Sequence, residues 1–287
     1  MEHNQVNIPT YRKPAIFVKL PSQGQWWPKN SINISNPSGE IGVYPMTVRD
    51  EMALRTPDAL MNGEAVVSVI KSCIPDIKDP WHCSTVDLDT LLVAIRIATY
   101  GPKLDMDVSP PVTAEKFALT LDLNTVFDMI DKTEFIDTHQ LSDGTVIKVK
   151  PMNYKNVSDL NIKNYEQARL ANTISKSDMD EASKMAEIQK AFSSIANLTV
   201  SNIASQITYI KFDETELQSS QEILTFIADI PAPVANEIKD ILASQKNIGT
   251  IKPLKIQTPK EQVDKGAPKQ FDQKLVLDYA NFFVLKS

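Results

Sequence analysis

The 287-residue chain is long enough for one large domain or two ordinary ones, and its 42% hydrophobic content supports a packed core. A net charge of −6 argues against a protein that grips nucleic-acid phosphates, and the longest apolar run, Leu91 to Ala98, is broken by Arg96 and far shorter than the ~20 residues that span a bilayer. Eight glycines form no phosphate-cradling motif and two cysteines give no disulfide framework. The start, Met1-Glu2-His3-Asn4-Gln5, has neither the basic nor the apolar region of a signal peptide, so a reducing, cytosol-like compartment is expected.

Residues 1–14 read as a flexible polar tail. Ala15 to Leu20 reads as a strand closed by Pro21, followed by a turn at Ser22-Gln23-Gly24 and the pair Trp26-Trp27. Ile41 to Met46 reads as a second strand. Thr47 is placed to cap a helix through about Arg55, with Asp50 and Glu51 in its first turn. A helix is predicted over Glu64–Cys73, ended by Pro75. Another is predicted over Val86–Tyr100, with Ser84 and Asp87 as a capping box and Gly101-Pro102 as its stop. Apolar residues surround that helix on nearly every side, which makes it the centre of the N-terminal core.

Two strand-like runs, Leu104–Val108 and Phe117–Leu121, lie either side of Pro110-Pro111. A short helix (Leu123–Ile130) follows, then a hairpin of Phe135–Leu141 and Val146–Val149 turning at Ser142-Asp143-Gly144. From Tyr154 the pattern turns helical. Met185, Ile188, Phe192 and Ile195 recur at 3–4 spacing within a helix predicted from Asp178 to Gln206, and two more helices are predicted over Gln218–Ala228 and Val234–Lys246. Thr258–Gln270 reads as a loop, and Lys274–Tyr279 as a closing strand ahead of Phe282-Phe283.

Chemistry-bearing residues are sparse. Histidine, the commonest general base, occurs three times, and His139 near Asp137 fits an exposed hairpin face better than a catalytic pair. His82, Cys83 and Cys73 offer three ligands where structural zinc takes four, so no metal is expected there. Asp105, Asp107 and Asp122 fit alternating solvent-facing carboxylates better than a divalent-ion site, and no G-x-S-x-G elbow occurs. Arg96 is a charge in an otherwise apolar helix and requires a partner, with Glu51 or Asp87 expected and a residue of another subunit as the alternative. Trp26, Trp27, Phe282 and Phe283 are large aromatics outside long periodic segments, suited either to closing the core or to anchoring a contact with another protein.

Several landmarks occur in a fixed order: Leu20-Pro21-Ser22-Gln23-Gly24 leading to Trp27-Pro28, Val43-Tyr44-Pro45-Met46-Thr47 before Asp50-Glu51, Ile70-Lys71-Ser72-Cys73-Ile74, and Leu92 to Gly101. With Leu141-Ser142-Asp143-Gly144, Val149-Lys150-Pro151-Met152 and Leu277 to Phe283, this order resembles the baseplate hub and hub-assembly family of T-even-like contractile-tailed bacteriophages. The resemblance is carried by residues 15–155 and the last fifteen residues. It implies a structural protein of the tail baseplate, or a factor that builds its hub, with no catalytic residues to carry over. Some relatives have C-x-x-C pairs in loops that here hold Pro110-Pro111 and Thr258-Pro259, so a zinc ribbon is not implied for this chain.

The reading is an α+β protein: a mixed domain of short strands and hairpins around a buried helix (15–152), a mainly helical region (153–250), and a C-terminal loop and strand (251–287) returning to the first domain. No enzyme activity, cofactor, metal, nucleic acid or membrane span is expected. The expected role is a virion component of the baseplate hub or inner baseplate, present in several copies in a symmetric assembly and passing through the host cytoplasm during assembly. Its expected contacts are Trp26, Trp27, Arg96, Phe282 and Phe283. The alternatives are a hub-assembly chaperone absent from the finished virion and, more remotely, a divalent-metal hydrolase using Asp105, Asp107 and Asp122.

Overall fold

The end signals in the sequence stand where the elements start and stop. In the computed structural model, which describes residues 11–34, 36–56, 62–113, 115–175, 180–275, 277 and 282–283, strand β1 (Ile16–Lys19) pairs antiparallel with β2 (Glu40–Val43). The second strand is shorter than predicted because the Tyr44 amide turns away to donate to the Cys73 carbonyl at 2.8 Å. Helix α1 (Val48–Ala53) opens with a capping box in which Thr47 Oγ1 accepts from the Asp50 amide and the Asp50 carboxylate accepts from the Thr47 amide. Helix α2 (Glu64–Cys73), a 3-10 turn at Pro80–His82 and helix α3 (Thr85–Tyr100) follow. A hairpin of β3 (Lys103–Val108) and β4 (Phe117–Asp122) then leads into α4 (Leu123–Met129).

These elements enclose the first core. Leu91, Val93, Ala94 and Ile95 of α3 are fully buried at its centre, under Ile70 of α2, Ile41 and Val43 of β2, and Leu104 and Val108 of β3. Complete burial of Leu91, Val93 and Ile95, at about 1.5–3 kcal/mol each, makes α3 a main source of cohesion here. The last part of the chain comes back to the same core through β9 (Leu254–Gln257), which pairs with β10 (Gln270–Gln273), and through buried Phe282 and Phe283.

A second core lies around a four-stranded antiparallel sheet in the order β5 (Thr138–Gln140), β6 (Val146–Val149), β7 (Ile207–Phe212), β8 (Thr215–Leu217). Ile147 and Ile210 of the sheet meet Ile223 of α7 (Ser220–Asp229) and Ile238 of α8 (Ala232–Gln245), all four fully or almost fully buried. The β7–β8 hairpin is an addition to the sequence reading, which assigns only helices between 153 and 250. It pairs directly with the hairpin predicted over Phe135–Leu141 and Val146–Val149, so that hairpin packs with segments beyond residue 200 rather than with β1–β4. Between β6 and β7 run two long helices, α5 (Tyr154–Ser175) and α6 (Glu181–Ser205), packed against each other as an arm. Asp180 caps α6, and Asp178, predicted as its start, lies outside the described residues.

Two further differences fall near the C-terminus. The predicted loop 258–270 contains a single helical turn, α9 (Lys260–Val263), and its strand ends at Gln273 instead of starting at Lys274. Lys274, Leu275 and Leu277 are not strand, and the remaining residues of the predicted Lys274–Tyr279 segment, 276, 278 and 279, lie outside the described residues.

The two cores are joined at Gly249. Its amide donates to the Asp131 carbonyl, the neighbouring Ile251 amide donates to the Asp89 carboxylate at 3.1 Å, and Ile251 bridges Ile130. Gly249 has φ +78, and a Cβ built there would stand 2.2 Å from the Val86 carbonyl oxygen at the start of α3. Gly249→Ala therefore combines left-handed strain with backbone overpacking, an expected loss of about 2–5 kcal/mol. Denaturant unfolding of the purified variant checks this, and unchanged stability would contradict the close approach.

Candidate assembly interface

The feature that shapes the candidate surface is the loop between β1 and Trp27. It is a succession of tight turns: the Gln23 amide donates to the Leu20 carbonyl, Gln25 to Ser22, and Trp27 to Gly24. Gln23 (φ +53) and Trp26 (φ +67) both occupy left-handed backbone without being glycine. Each such residue costs about 1–3 kcal/mol and persists only where its surroundings over-determine it.

Asp87 supplies that determination. Predicted as a capping residue of α3, it instead turns its fully buried carboxylate across to the loop. It accepts from the Ser22 amide at 2.9 Å, from the Ser22 hydroxyl and from Trp27 Nε1 at 2.7 Å, while Ser84 alone caps the helix. Burial raises the Asp87 pKa above the usual carboxylate range, and the bonds from Ser22 and Trp27 pull it back down. Hydrogen bonds to a charged acceptor contribute about 1.5–3 kcal/mol each, so three of them outweigh the strain in the loop.

The two tryptophans are consequently sent in opposite directions. Trp27 is buried in the first core, and Trp26 is left half-buried with its ring edge-on to Phe135 at 4.9 Å. Trp26 and Phe135 line a cleft: a cavity of about 1250 Å³ lies beside them, between the first core and the linker 130–137. Four consecutive residues, Phe17, Val18, Lys19 and Leu20, line it. Successive side chains of a strand point to opposite faces, so three consecutive strand residues, Phe17 to Lys19, mean that the cleft runs along the edge of β1, where backbone groups of a two-stranded sheet have one partner strand only. Phe17, more than half exposed, stands at the rim.

The other expected contact residues are turned inward. Arg96 finds neither Glu51 nor Asp87. Its Nε donates to the Phe282 carbonyl at 2.9 Å, its Nη1 to the Gly101 carbonyl at 3.4 Å, and its guanidinium lies 4.6 Å from the centre of the Tyr100 ring. Burial lowers the Arg96 pKa, opposed by Tyr100 and Asp105. Tyr100 completes the network, its single hydroxyl proton shared between the Glu51 carboxylate (2.7 Å) and the Phe283 carbonyl (2.8 Å); burial, then the bond to Glu51, raises its pKa. Phe282 and Phe283, edge-to-face at 5.1 Å, are thereby latched onto the first core.

The residues weighed for catalysis or metal binding are dispersed. Asp105 and Asp107 point out from β3, where Asp105 accepts from Thr120, and Asp122 caps α4. His139 Nε2 lies 2.9 Å from the Ile136 carbonyl and 3.2 Å from Gln245, rather than against Asp137. His82 pairs with Asp79 at 2.7 Å. Cys73 and Cys83 are buried and free; burial pushes the Cys73 thiol up to about 12, with Asp50 adding to it, and pushes Cys83 well above its ordinary value. Among the described residues, no group of three or more His, Cys, Asp or Glu is placed to hold a metal ion, and no helix is long and apolar enough to cross a membrane. Phe17 and Phe135 were not legible as contact residues, since both read as ordinary strand positions.

Asp87→Ala leaves Trp27 Nε1 and the Ser22 amide buried without an acceptor. The expected loss is about 3–5 kcal/mol, with Trp26 fluorescence shifting as the loop relaxes. Thermal unfolding within about 1 kcal/mol of the parent chain would contradict this role.

A family model described as "T4 bacteriophage base plate protein" matches residues 14–271. No curated protein matches the chain, and no solved structure does.

Proposed function

The chain belongs to the T4 bacteriophage base plate protein family, which gives it a structural role in the tail base plate beside other tail proteins, and on that premise we propose that it is a component of the hub or inner base plate that remains in the finished virion. Its work is surface fit. The observation that carries this reading is the cleft beside Trp26: an aromatic held in strained backbone by a buried carboxylate, at the open edge of a strand. An extended segment of a neighbouring subunit placed along β1 gains backbone hydrogen bonds from that edge and packs against Trp26, Phe135 and Phe17. Of the five residues expected to make contacts, Trp26 takes that part. Trp27, Arg96, Phe282 and Phe283 serve it indirectly by fixing the loop and the C-terminal segment.

The hub-assembly chaperone remains the competing role within the same family, and the virion decides between them. Mass spectrometry of purified virions is expected to find the chain at stoichiometric level, whereas its absence would establish the chaperone. Trp26→Ala is expected to leave thermal stability within about 1 kcal/mol, because the ring is half-exposed, yet to reduce incorporation into tails by about tenfold or more. Full incorporation of this variant would remove the cleft from the account.

A further inference from the structure

The cleft beside Trp26 holds, on its floor, a polar group that the fold leaves without a use. Thr90 stands one turn after Val86 on the same face of α3 and is 3% exposed, and both line the cleft with buried Ile130 and Ile248. Among the described residues no group hydrogen-bonds to its hydroxyl. A helical threonine has a ready acceptor in the carbonyl four residues back, and in the same helix Thr99 takes it, donating to the Ile95 carbonyl at 2.7 Å. The carboxylates either side of Thr90 along the helix are also used: Asp87 accepts from Ser22 and Trp27, and Asp89 from the Ile251 amide. A buried hydroxyl that meets no partner destabilises the chain, so one left at the floor of an open cleft fits a partner that arrives from outside.

The walls of the cleft select the kind of molecule that brings it. One wall is the edge of β1. Along the other, residues 130–135 line the cleft one after another, and among the described residues the amides and carbonyls of Glu134 and Phe135 make no backbone hydrogen bond. An extended segment laid between these walls finds donors and acceptors on both sides; a helix, whose backbone groups are already paired, does not. We propose that the cleft is specific for an extended segment of a neighbouring subunit that carries a hydroxyl or amide side chain (Ser, Thr, Asn or Gln) over Thr90, and that Thr90 reads that side chain. The side chain is uncharged because Val86, Ile130 and Ile248 around Thr90 are aliphatic, and an ion placed among them would lack a counter-charge. This rests on the cleft being the assembly contact and adds the chemistry of its occupant.

Phage lacking the chain and complemented with variants tests the proposal, with the chain in purified tails quantified by mass spectrometry. Thr90→Val keeps the shape and removes the hydroxyl. Its melting temperature is expected to equal or exceed that of the parent, because an unpartnered polar group leaves the interior, while incorporation falls about fivefold or more because the incoming side chain is left unpaired. Thr90→Ser, which keeps the hydroxyl, is expected to hold incorporation within about twofold of the parent. A lower melting temperature for Thr90→Val would mean that the hydroxyl has a partner within the free chain, and would overturn the proposal. Full incorporation of Thr90→Val, or an equal loss with Thr90→Ser, would overturn it too. Trp26→Ala separates this from the role of the cleft itself. If Trp26→Ala blocks incorporation and Thr90→Val does not, the cleft stands and the side-chain preference falls; if neither variant matters, both fall.

Discussion

The carboxylate of Asp87 ties the first turn of α3 to a loop more than sixty residues earlier, and the form of the candidate surface follows from that tie. Without an acceptor for Trp27 Nε1 and the Ser22 amide, the loop has no reason to hold Gln23 and Trp26 in left-handed backbone. With it, one tryptophan enters the core and its neighbour is kept at a strand edge. The cost of burying a charge is offset by three donated hydrogen bonds, which confine the loop to one geometry at the same time. The far end of α3 repeats the pattern with opposite sign: Arg96 and Tyr100 gather the carbonyls of Phe282 and Phe283. One apolar helix thus organises both the loop near the start of the described chain and the segment near its end.

Local signals were legible wherever the physics is local. Thr47 with Asp50, Ser84 as a cap, Gly101 as a stop and Gly144 (φ +88) in its turn each act within a few residues, and the elements around them form as predicted. The β7–β8 hairpin escaped because Ile207 to Phe212 follows a 25-residue helix with no glycine or proline to mark the change, and its turn is made by Asp213 at φ +52. The closing strand was placed a few residues late because Gln270–Gln273 carries a single apolar residue, Phe271, among polar ones, and its pairing with Leu254–Gln257 makes it a strand. The partners of Asp87 and Arg96 lie 60 and 186 residues away. Pattern and propensity are blind at that range: a search for an ion-pair partner named carboxylates for Arg96 where the fold supplies backbone carbonyls and an aromatic face.

An assembly role makes sense of how the molecule distributes its apolar surface. The two cores bury their aliphatic residues almost completely, but the cleft along β1 leaves Phe17 exposed. That is a feature of a part that finishes its packing against something else. The separate hydrogen-bonding roles of Asp105, Asp122, His82 and His139 agree with a chain whose polar groups hold shape.

The central claim is that this protein contributes by occupying a place in the base plate. Cryo-electron microscopy of intact tails tests it most directly. The account predicts density for the chain in the inner base plate, with a segment of a neighbouring subunit seated along β1 against Trp26. Density for the chain with that cleft open to solvent, or tails that lack the chain altogether, would contradict it.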